Sequence, residues 1–282
     1  MQAATAVLTD SASYLPLSVR QRFGIVTIPM IVVVNGSEYR EFVDFDSPKF
    51  YEMLSGGAKV STSQPSPGSF LEQYERLRDQ GAEQILSIHI GSTLSGTVNS
   101  ARIAAEMASV PVTVVDSGQA SFLEGLCVWE ACEALAAGED IPVAVEAVHR
   151  TASDVGNVFV VRGLTLLQRG GRIGPGMSDE PNSVPILALI DNSVRPVGAA
   201  TSVTEAIDAM ISWLADAIGR QPGKCFRVGV ANGDADELAA ILESKVRELD
   251  RVSEVVPYVI GPAIGAHTGP GCTGLAFVGR PI

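Results

Sequence analysis

The sequence has few cationic side chains and no long apolar run. Its 282 residues include 20 Lys and Arg against 32 Asp and Glu, which gives a formal net charge of −12. Nucleic-acid backbones and anionic lipid surfaces are bound by clustered Lys and Arg, so this balance argues against both as partners. No apolar run approaches the ~20 residues of a membrane span, and the first residues do not resemble a signal peptide, so we expect no stable membrane insertion.

Cysteine and histidine are also scarce, with four and three residues respectively. Cys127, Cys132, Cys225 and Cys272 lack the spacing of a metal site or of a redox motif. We therefore expect free thiols, a cytoplasmic location, and neither a metal nor a cofactor.

What the sequence does have is a regular alternation of apolar strand patterns with helical patterns, in a chain that is 46% hydrophobic. This alternation predicts a layered α/β architecture. The length exceeds one typical domain, and the composition changes near residues 154–157. We predict an N-terminal α/β domain over residues 1–155 and a C-terminal α/β domain over residues 156–282.

One stretch has the pattern of an anion site. The apolar run Gln84–Ile90 predicts a buried strand, a hydroxyl-rich turn follows, and Val98–Met107 predicts a helix. The first N–H groups of a helix have no partner inside it, so they and the turn's hydroxyls can bind an anion. The hydroxyls belong to Ser92, Thr93, Ser95 and Thr97. Ser and Thr are also ordinary helix caps, so plain capping stays open as an alternative.

Two other predicted strands end in an Asp-Ser pair, at Asp10 and at Asp116. Because the carboxyl ends of strands border the ligand crevice of α/β sheets, these side chains are expected to face the same crevice. Simple capping of the following turns is the alternative.

Two segments rich in proline or glycine are predicted as loops. Residues 59–67 contain Pro65 and Pro67 together with several hydroxyls, and residues 261–271 contain His267 beside Thr268. The glycines around His267 allow a close backbone approach to a ligand, although a structural turn is the other interpretation. His89, within an apolar strand pattern, is expected to be a packed strand residue.

Six short motifs together resemble the DegV family, in the family's order and over essentially the whole chain. They are Asp10-Ser11-Ala12-Ser13, Thr62-Ser63-Gln64-Pro65-Ser66-Pro67, Ser92-Thr93-Leu94-Ser95-Gly96-Thr97, Asp116-Ser117, Arg169-Gly170-Gly171-Arg172-Ile173 and Gly265-Ala266-His267-Thr268-Gly269-Pro270-Gly271. The resemblance implies a protein of two α/β domains that binds one long-chain fatty acid at the domain interface. It also implies an acyl-carrying subunit whose partner kinase phosphorylates the bound carboxylate.

The family's carboxylate ligands carry over to Thr62, Ser95 and His267. Residues in or beside the same motifs are additional candidates: Ser92, Gly96, Thr268 and Arg172. A fatty acid needs one polar anchor and a long dry cavity, which suits an apolar α/β protein. The apolar residues expected to line the tail are Phe122, Leu126, Phe159, Leu164 and Leu167.

One departure from the family concerns the partner. A Lys-x-Arg run often follows the strand that corresponds to Val194–Gly198, whereas residues 199–203 of this chain carry no base. If that run helps to dock the kinase in relatives, docking here is weaker, uses other residues or does not occur. Fatty-acid binding is therefore a firmer prediction than kinase partnership.

Two other functions compete with lipid binding. Ser95 and His267, with Asp10 or Asp116, are the residue types of an acyl-hydrolase triad, but the sequence has no GxSxG motif. A sensor of a small non-lipid anion would use the same hydroxyls. No P-loop lysine motif is present for phosphoryl transfer. We predict a lipid-binding protein with no catalytic residue of its own.

Overall fold

The computed structural model describes residues 4–173 and 183–282. Its strands, in chain order, are β1 (Thr5–Asp10), β2 (Val26–Ile28), β3 (Ile31–Val34), β4 (Ser37–Arg40), β5 (Val60–Ser63), β6 (Gln84–His89), β7 (Val112–Asp116), β8 (Gly156–Val160), β9 (Val184–Ile190), β10 (Ser193–Ala200), β11 (Lys224–Gly233), β12 (Val252–Val259) and β13 (Cys272–Pro281). Its α-helices are α1 (Leu17–Phe23), α2 (Ser47–Ser55), α3 (Pro67–Asp79), α4 (Thr97–Met107), α5 (Phe122–Ala136), α6 (Ile141–Asp154), α7 (Thr165–Arg169), α8 (Val203–Arg220), α9 (Asp236–Arg247) and α10 (Pro262–Thr268). The predicted α/β class is confirmed. The sequence also predicts a loop over residues 175–184, and this segment lies almost entirely outside the described residues.

A four-stranded parallel sheet has the order β2-β1-β6-β7. Side chains alternate along its strands, so Leu8 and Ile85 pack with α3 and α4, whereas Val7 and Leu86 pack with α5 and α6. Helices therefore cover both faces, as parallel sheets require.

A six-stranded mixed sheet has the order β10-β9-β8-β13-β11-β12. Helices α8 and α9 pack on one of its faces, where Phe226, Leu275 and Phe277 are buried. The opposite face carries Ala276 and Val278, which belong to the same core as α5 and α6. The helix pair α5–α6 therefore lies between the two large sheets.

The position of α5 corrects one expectation. The pattern of residues 122–137 predicts an amphipathic helix, but Phe122, Leu126, Cys127 and Trp129 are buried on different sides of the helix that forms there. A helix that contacts a sheet on either side has no face left for solvent.

A small antiparallel sheet, β4-β3-β5, accounts for two further corrections. The predicted loop at residues 59–67 contains strand β5, which pairs with β3 through Val32 and Thr62, and the two prolines follow this strand. Residues 25–34 are rich in β-branched side chains, a pattern that predicts a single strand, but they form two strands in two different sheets. Pro29, which has no N–H to donate, lies between them.

The predicted loop at residues 261–271 contains helix α10, so His267 lies in a last helical turn rather than in a loop. Pro262 occupies the first helical position, which tolerates proline, and Gly269 ends the helix with a φ of 75°. Gly265 is buried against Phe50 and Tyr51, where a Cβ would crowd both rings. The remaining predicted helices and strands are present, with ends displaced by a few residues.

The predicted domain boundary falls between α6 and β8, and the six-stranded sheet is built only from strands after it. Helices α5 and α6 precede the boundary but share a core with β12 and β13. The division into two domains stays a prediction. Among residues 4–173 and 183–282, no helix is long and apolar enough to cross a membrane.

Arg227 on β11 links α5 to the six-stranded sheet through contacts of its buried side chain. Its guanidinium is almost fully buried, lies 3.6 Å from the centroid of the Trp129 ring, and bonds Glu130 at 2.9 Å and Glu254 at 2.6 Å. A buried cation needs such partners because desolvation is costly.

Replacing Arg227 with Met keeps the side-chain volume but leaves the Glu130 carboxylate without this partner. We expect the free energy of unfolding to fall by about 3 kcal/mol, measured by urea denaturation. Arg247→Met breaks the exposed Arg247–Glu243 pair and should cost less than about 0.5 kcal/mol. Equal losses of unfolding free energy in the two variants would show that the buried cluster stabilises the protein no more than an exposed ion pair does.

Candidate functional site

A cavity lies between the end of the four-stranded sheet, one face of the six-stranded sheet and helix α10. Ala12, Ile90 and Ala120 come from the first of these, Gly274 and Ala276 from the second, and Ile264 and His267 from the third. Most of the lining is apolar. Small-molecule sites are likewise mainly apolar, with a few placed polar groups.

Small residues on β13 make room for the cavity. Cys272, Gly274 and Ala276 alternate along the strand and all face it, as the two-residue period of a strand requires. A Cβ on Gly274 would collide with Phe159, which pairs with it on β8 and also lines the cavity. Larger side chains at these positions would fill the space.

His267 is one of the polar side chains that line the cavity. Its Nε2 lies 2.9 Å from Thr62 Oγ1, a contact between residues 205 positions apart. Ser95 Oγ lies 2.8 Å from Thr97 Oγ1, and Arg172 Nη2 donates to the Leu94 carbonyl at 3.0 Å. Thr62, Ser95, Arg172 and His267 all line the cavity. The fold thus brings the three predicted carboxylate ligands to one cavity, while their role as ligands stays a prediction.

The other predicted site residues are placed differently. Ser92 and Gly96 are exposed, and neither lines the cavity. The Ser92 N–H donates to Asp116 Oδ1 at 3.2 Å. Thr268 does line the cavity, but its hydroxyl donates to the Ile264 carbonyl at 3.3 Å within α10.

The Asp-Ser pairs at the strand ends cap the backbone. Asp10 is buried and accepts from the N–H groups of Ala12 and Ile90, at 3.1 and 3.0 Å, and from His89 Nδ1. Asp116 accepts from the N–H groups of Ser92 and Gly118. The expectation that both carboxylates face the crevice is wrong, and the capping alternative is right. His89 is a packed strand residue, as predicted.

His267 is held as an uncharged ring. Burial lowers its pKa to about 4, and the neighbouring Arg172 guanidinium adds to the shift. Above that pH the imidazole is neutral, so one of its nitrogens donates and the other accepts. The site therefore presents a neutral donor at physiological pH.

Gly170 is a residue of the site whose role the sequence did not reveal. Adjacent glycines at positions 170 and 171 predict a helix stop, and Gly171, with a φ of 68°, serves that purpose. Glycine is required at position 170 for a different reason, because a Cβ there would collide with His267 Nδ1. Its hydrogen side chain lets the imidazole reach Thr62.

Glu41 is the second residue that sequence reasoning missed. It is buried, accepts the Ala263 N–H of α10 at 2.7 Å and the Tyr14 hydroxyl at 3.2 Å, and also bonds Ser11. Burial raises its pKa to about 7, although these hydrogen bonds oppose the shift. Glu41 thus fixes the first turn of the helix that carries His267. It follows a short exposed strand, a setting that predicts an ordinary surface carboxylate.

The geometry does not assemble the hydrolase triad considered above. A triad needs the histidine on the nucleophile and a carboxylate on its other nitrogen. Here Ser95 contacts Thr97, His267 contacts Thr62, and the Nδ1 side of the imidazole lies against Gly170. Asp10 bonds His89 instead. Within the described ranges, no group of His, Cys, Asp and Glu side chains could hold a metal ion.

Substituting Gly170 tests how the imidazole is held. We expect Gly170→Ala to move His267 away from Thr62 and toward solvent, which raises its pKa from about 4 toward 6.5. Titration of the histidine ring resonances by NMR measures this directly, since the chain has only three histidines.

Gly171→Ala is the matched control. Its Cβ would contact nothing within 4 Å, but its positive φ is unfavourable for alanine. This control should cost stability and leave the His267 titration unchanged. An unchanged His267 pKa in Gly170→Ala would contradict our account.

Comparisons with known proteins agree with this architecture. A family model described as "Uncharacterised protein, DegV family" matches residues 4–280. A DegV domain-containing protein of Streptomyces coelicolor is 32% identical over 279 residues, which cover 98% of each chain. A solved structure described as fatty acid binding of a DegV family protein from Thermus thermophilus superposes with a TM-score of 0.91, at 31% identity, over 98% of this chain and 100% of that one. The structure of DegV from Bacillus subtilis, described as a fatty acid binding protein, superposes with a TM-score of 0.89 at 28% identity. The match covers 99% of this chain and 100% of that one. On this evidence the chain belongs to the DegV family.

Proposed function

We propose that this protein binds one long-chain fatty acid of about 14 to 18 carbons, with the tail in the apolar cavity. The carboxylate is held by Thr62, Ser95 and His267. The observation that carries the proposal is the contact between the Thr62 hydroxyl and the uncharged His267 imidazole, in a cavity that Ser95 also lines and whose other side chains are mainly apolar. The relatives from Thermus thermophilus and Bacillus subtilis, both described as fatty acid binding, support the same assignment.

The tail supplies most of the affinity in this arrangement. Burial of a methylene contributes about 0.8 kcal/mol, so roughly fourteen methylenes give about 11 kcal/mol before ordering costs. Phe159 and Leu167, two of the residues expected to line the tail, do line the cavity. The other three expected residues, Phe122, Leu126 and Leu164, pack in the core instead, where their exposed fractions are 3% or less.

The head group is held without a fully buried counter-charge. Hydroxyl and neutral imidazole donors bond a carboxylate with about 1.5–3 kcal/mol each. The half-buried Arg172 adds a positive charge beside them. The long apolar lining favours a lipid over a small non-lipid anion, because an anion sensor would leave that surface unfilled.

We propose in addition that the chain is a cytoplasmic acyl carrier, not an enzyme, and that it presents the carboxylate to a partner kinase. Ser95 and Thr62 are only half buried, and Ser95 adjoins the exposed Gly96, so the head of the ligand lies near the surface. Ala199, near the end of β10, is exposed, and residues 199–203 carry no base. Acyl phosphate formation from the loaded protein, ATP and a bacterial fatty-acid kinase tests this step, and its absence counts against presentation.

The first test of the proposal is to identify the lipid that the purified protein carries. We expect organic extraction of freshly purified protein, followed by mass spectrometry, to yield about one fatty acid of about 14 to 18 carbons per chain. Native mass spectrometry of the same sample should show the matching adduct. A sample with no stoichiometric acyl chain, and no uptake of added palmitate, would contradict the proposed function.

His267→Ala tests the head-group contact. Removal of one donor to a charged carboxylate should weaken fatty-acid binding by about 1.5–3 kcal/mol, roughly ten- to a hundred-fold, without abolishing it. The matching fatty alcohol carries no charge and should lose much less. Displacement of a fluorescent acyl probe measures both ligands. Equal losses for acid and alcohol would mean that His267 acts through the fold, and no loss for either would remove it from the site.

A further inference from the structure

A second hollow lies outside the first, along the exposed edge of the six-stranded sheet. This outer groove lies between the start of α1, the edge strand β12 and α9. Its apolar lining includes Leu15, Pro16, Phe42 and Val259. Within the described part of the chain, Tyr258 is the one residue that lines both the inner cavity and the outer groove.

Tyr258 belongs to a short stack of aromatic rings that separates the two spaces. Its ring centroid lies 4.9 Å from that of Phe122 and 6.4 Å from that of Tyr14, and both pairs are stacked. Tyr14 in turn meets the half-exposed Phe42 edge to face at 6.1 Å. The rings therefore run from the buried core to the surface, with Tyr258 between cavity and groove.

The sheet register places Tyr258 at the side of the acyl cavity. Phe159, Gly274, Ala231 and Tyr258 occupy one row across β8, β13, β11 and β12, and all four face the cavity. β12 is an edge strand, so beyond Tyr258 this row has no further neighbour within the sheet. The Ser121 hydroxyl lies 3.5 Å from the Tyr258 hydroxyl, a long contact that constrains the ring only weakly. The side chain itself is the wall.

We propose that the Tyr258 ring closes the acyl cavity at the sheet edge and thereby sets the upper length of the acyl chain. This inference rests on the proposed fatty-acid binding. A chain that fills the cavity meets the ring and gains nothing from further methylenes. With the ring removed, the cavity opens into an outer groove whose apolar side chains can bury them.

Affinity across a series of saturated fatty acids tests the wall. In the wild type, each added carbon should raise affinity by about fourfold, the equivalent of about 0.8 kcal/mol, until the cavity is full, and then cease to do so. In Tyr258→Ala the rise should continue for several further carbons within a series from about C12 to about C24. Tyr258→Phe is the matched control, because it keeps the ring and loses only the hydroxyl, and its length limit should equal that of the wild type.

A groove-filling variant separates use of the groove from general loosening. Ala240 on α9 is exposed and lines the groove, so Ala240→Trp fills it without disturbing the core. The single variant should keep the wild-type limit, and the pair Tyr258→Ala with Ala240→Trp should restore it. If the double variant still accepts the longer acyl chains, the added carbons do not enter the groove, and the proposed path is wrong.

Thermal unfolding controls for the loss of stacking on Phe122. If Tyr258→Ala does not fold, Tyr258→Leu carries the test, since leucine is smaller than tyrosine and remains apolar. An unchanged length limit in the folded variant overturns the inference alone. A wild type that binds no fatty acid of any length would instead refute the proposed function.

Discussion

The site depends on the hydrogen bond between Thr62 and His267, which joins a small sheet in the first half of the chain to a short helix near its end. Neither side chain would reach this position without the residues packed around it. The Glu41 carboxylate holds the first turn of α10, Gly170 leaves space beside the imidazole, and pairing with β3 sets the position of Thr62. Because buried polar groups are costly without partners, each of these contacts restricts the others.

The cavity exists because the helix pair α5–α6 does not fill the whole space between the two large sheets. Ser121 and Leu123 at the start of α5 line the cavity, whereas Leu126 and Trp129 further along pack in the core. Small residues on β13 leave space on the sheet side of the cavity, and the Tyr258 ring closes the cavity at the sheet edge. Arg227 and its carboxylate partners keep α5 on the sheet, so the core that stabilises the fold also bounds the cavity.

Head and tail of the proposed ligand place different demands on the structure. Apolar burial scales with the length of the tail, so it supplies affinity, while a few donors fix orientation. A neutral imidazole suits this division because it can donate to a carboxylate without the desolvation cost of a buried cation. The arrangement also differs from that of a hydrolase, since the Nδ1 side of the imidazole lies against Gly170 where a triad would have a carboxylate.

Local patterns in the sequence determined much of this protein. Periodicity identified the α/β class and most helices and strands, including the strand-turn-helix that carries Ser95, and the ordered motifs identified the family. The errors fall where stability comes from distant partners. Strand β5 looks like a loop because its stability comes from pairing with β3. Helix α10 looks like a loop because Glu41, 222 positions away, stabilises its first turn. No local signal distinguishes Gly170 from a helix stop, or Tyr258 from an ordinary strand residue. Their roles are steric relations between segments far apart in the chain, and only the tertiary structure could decide them.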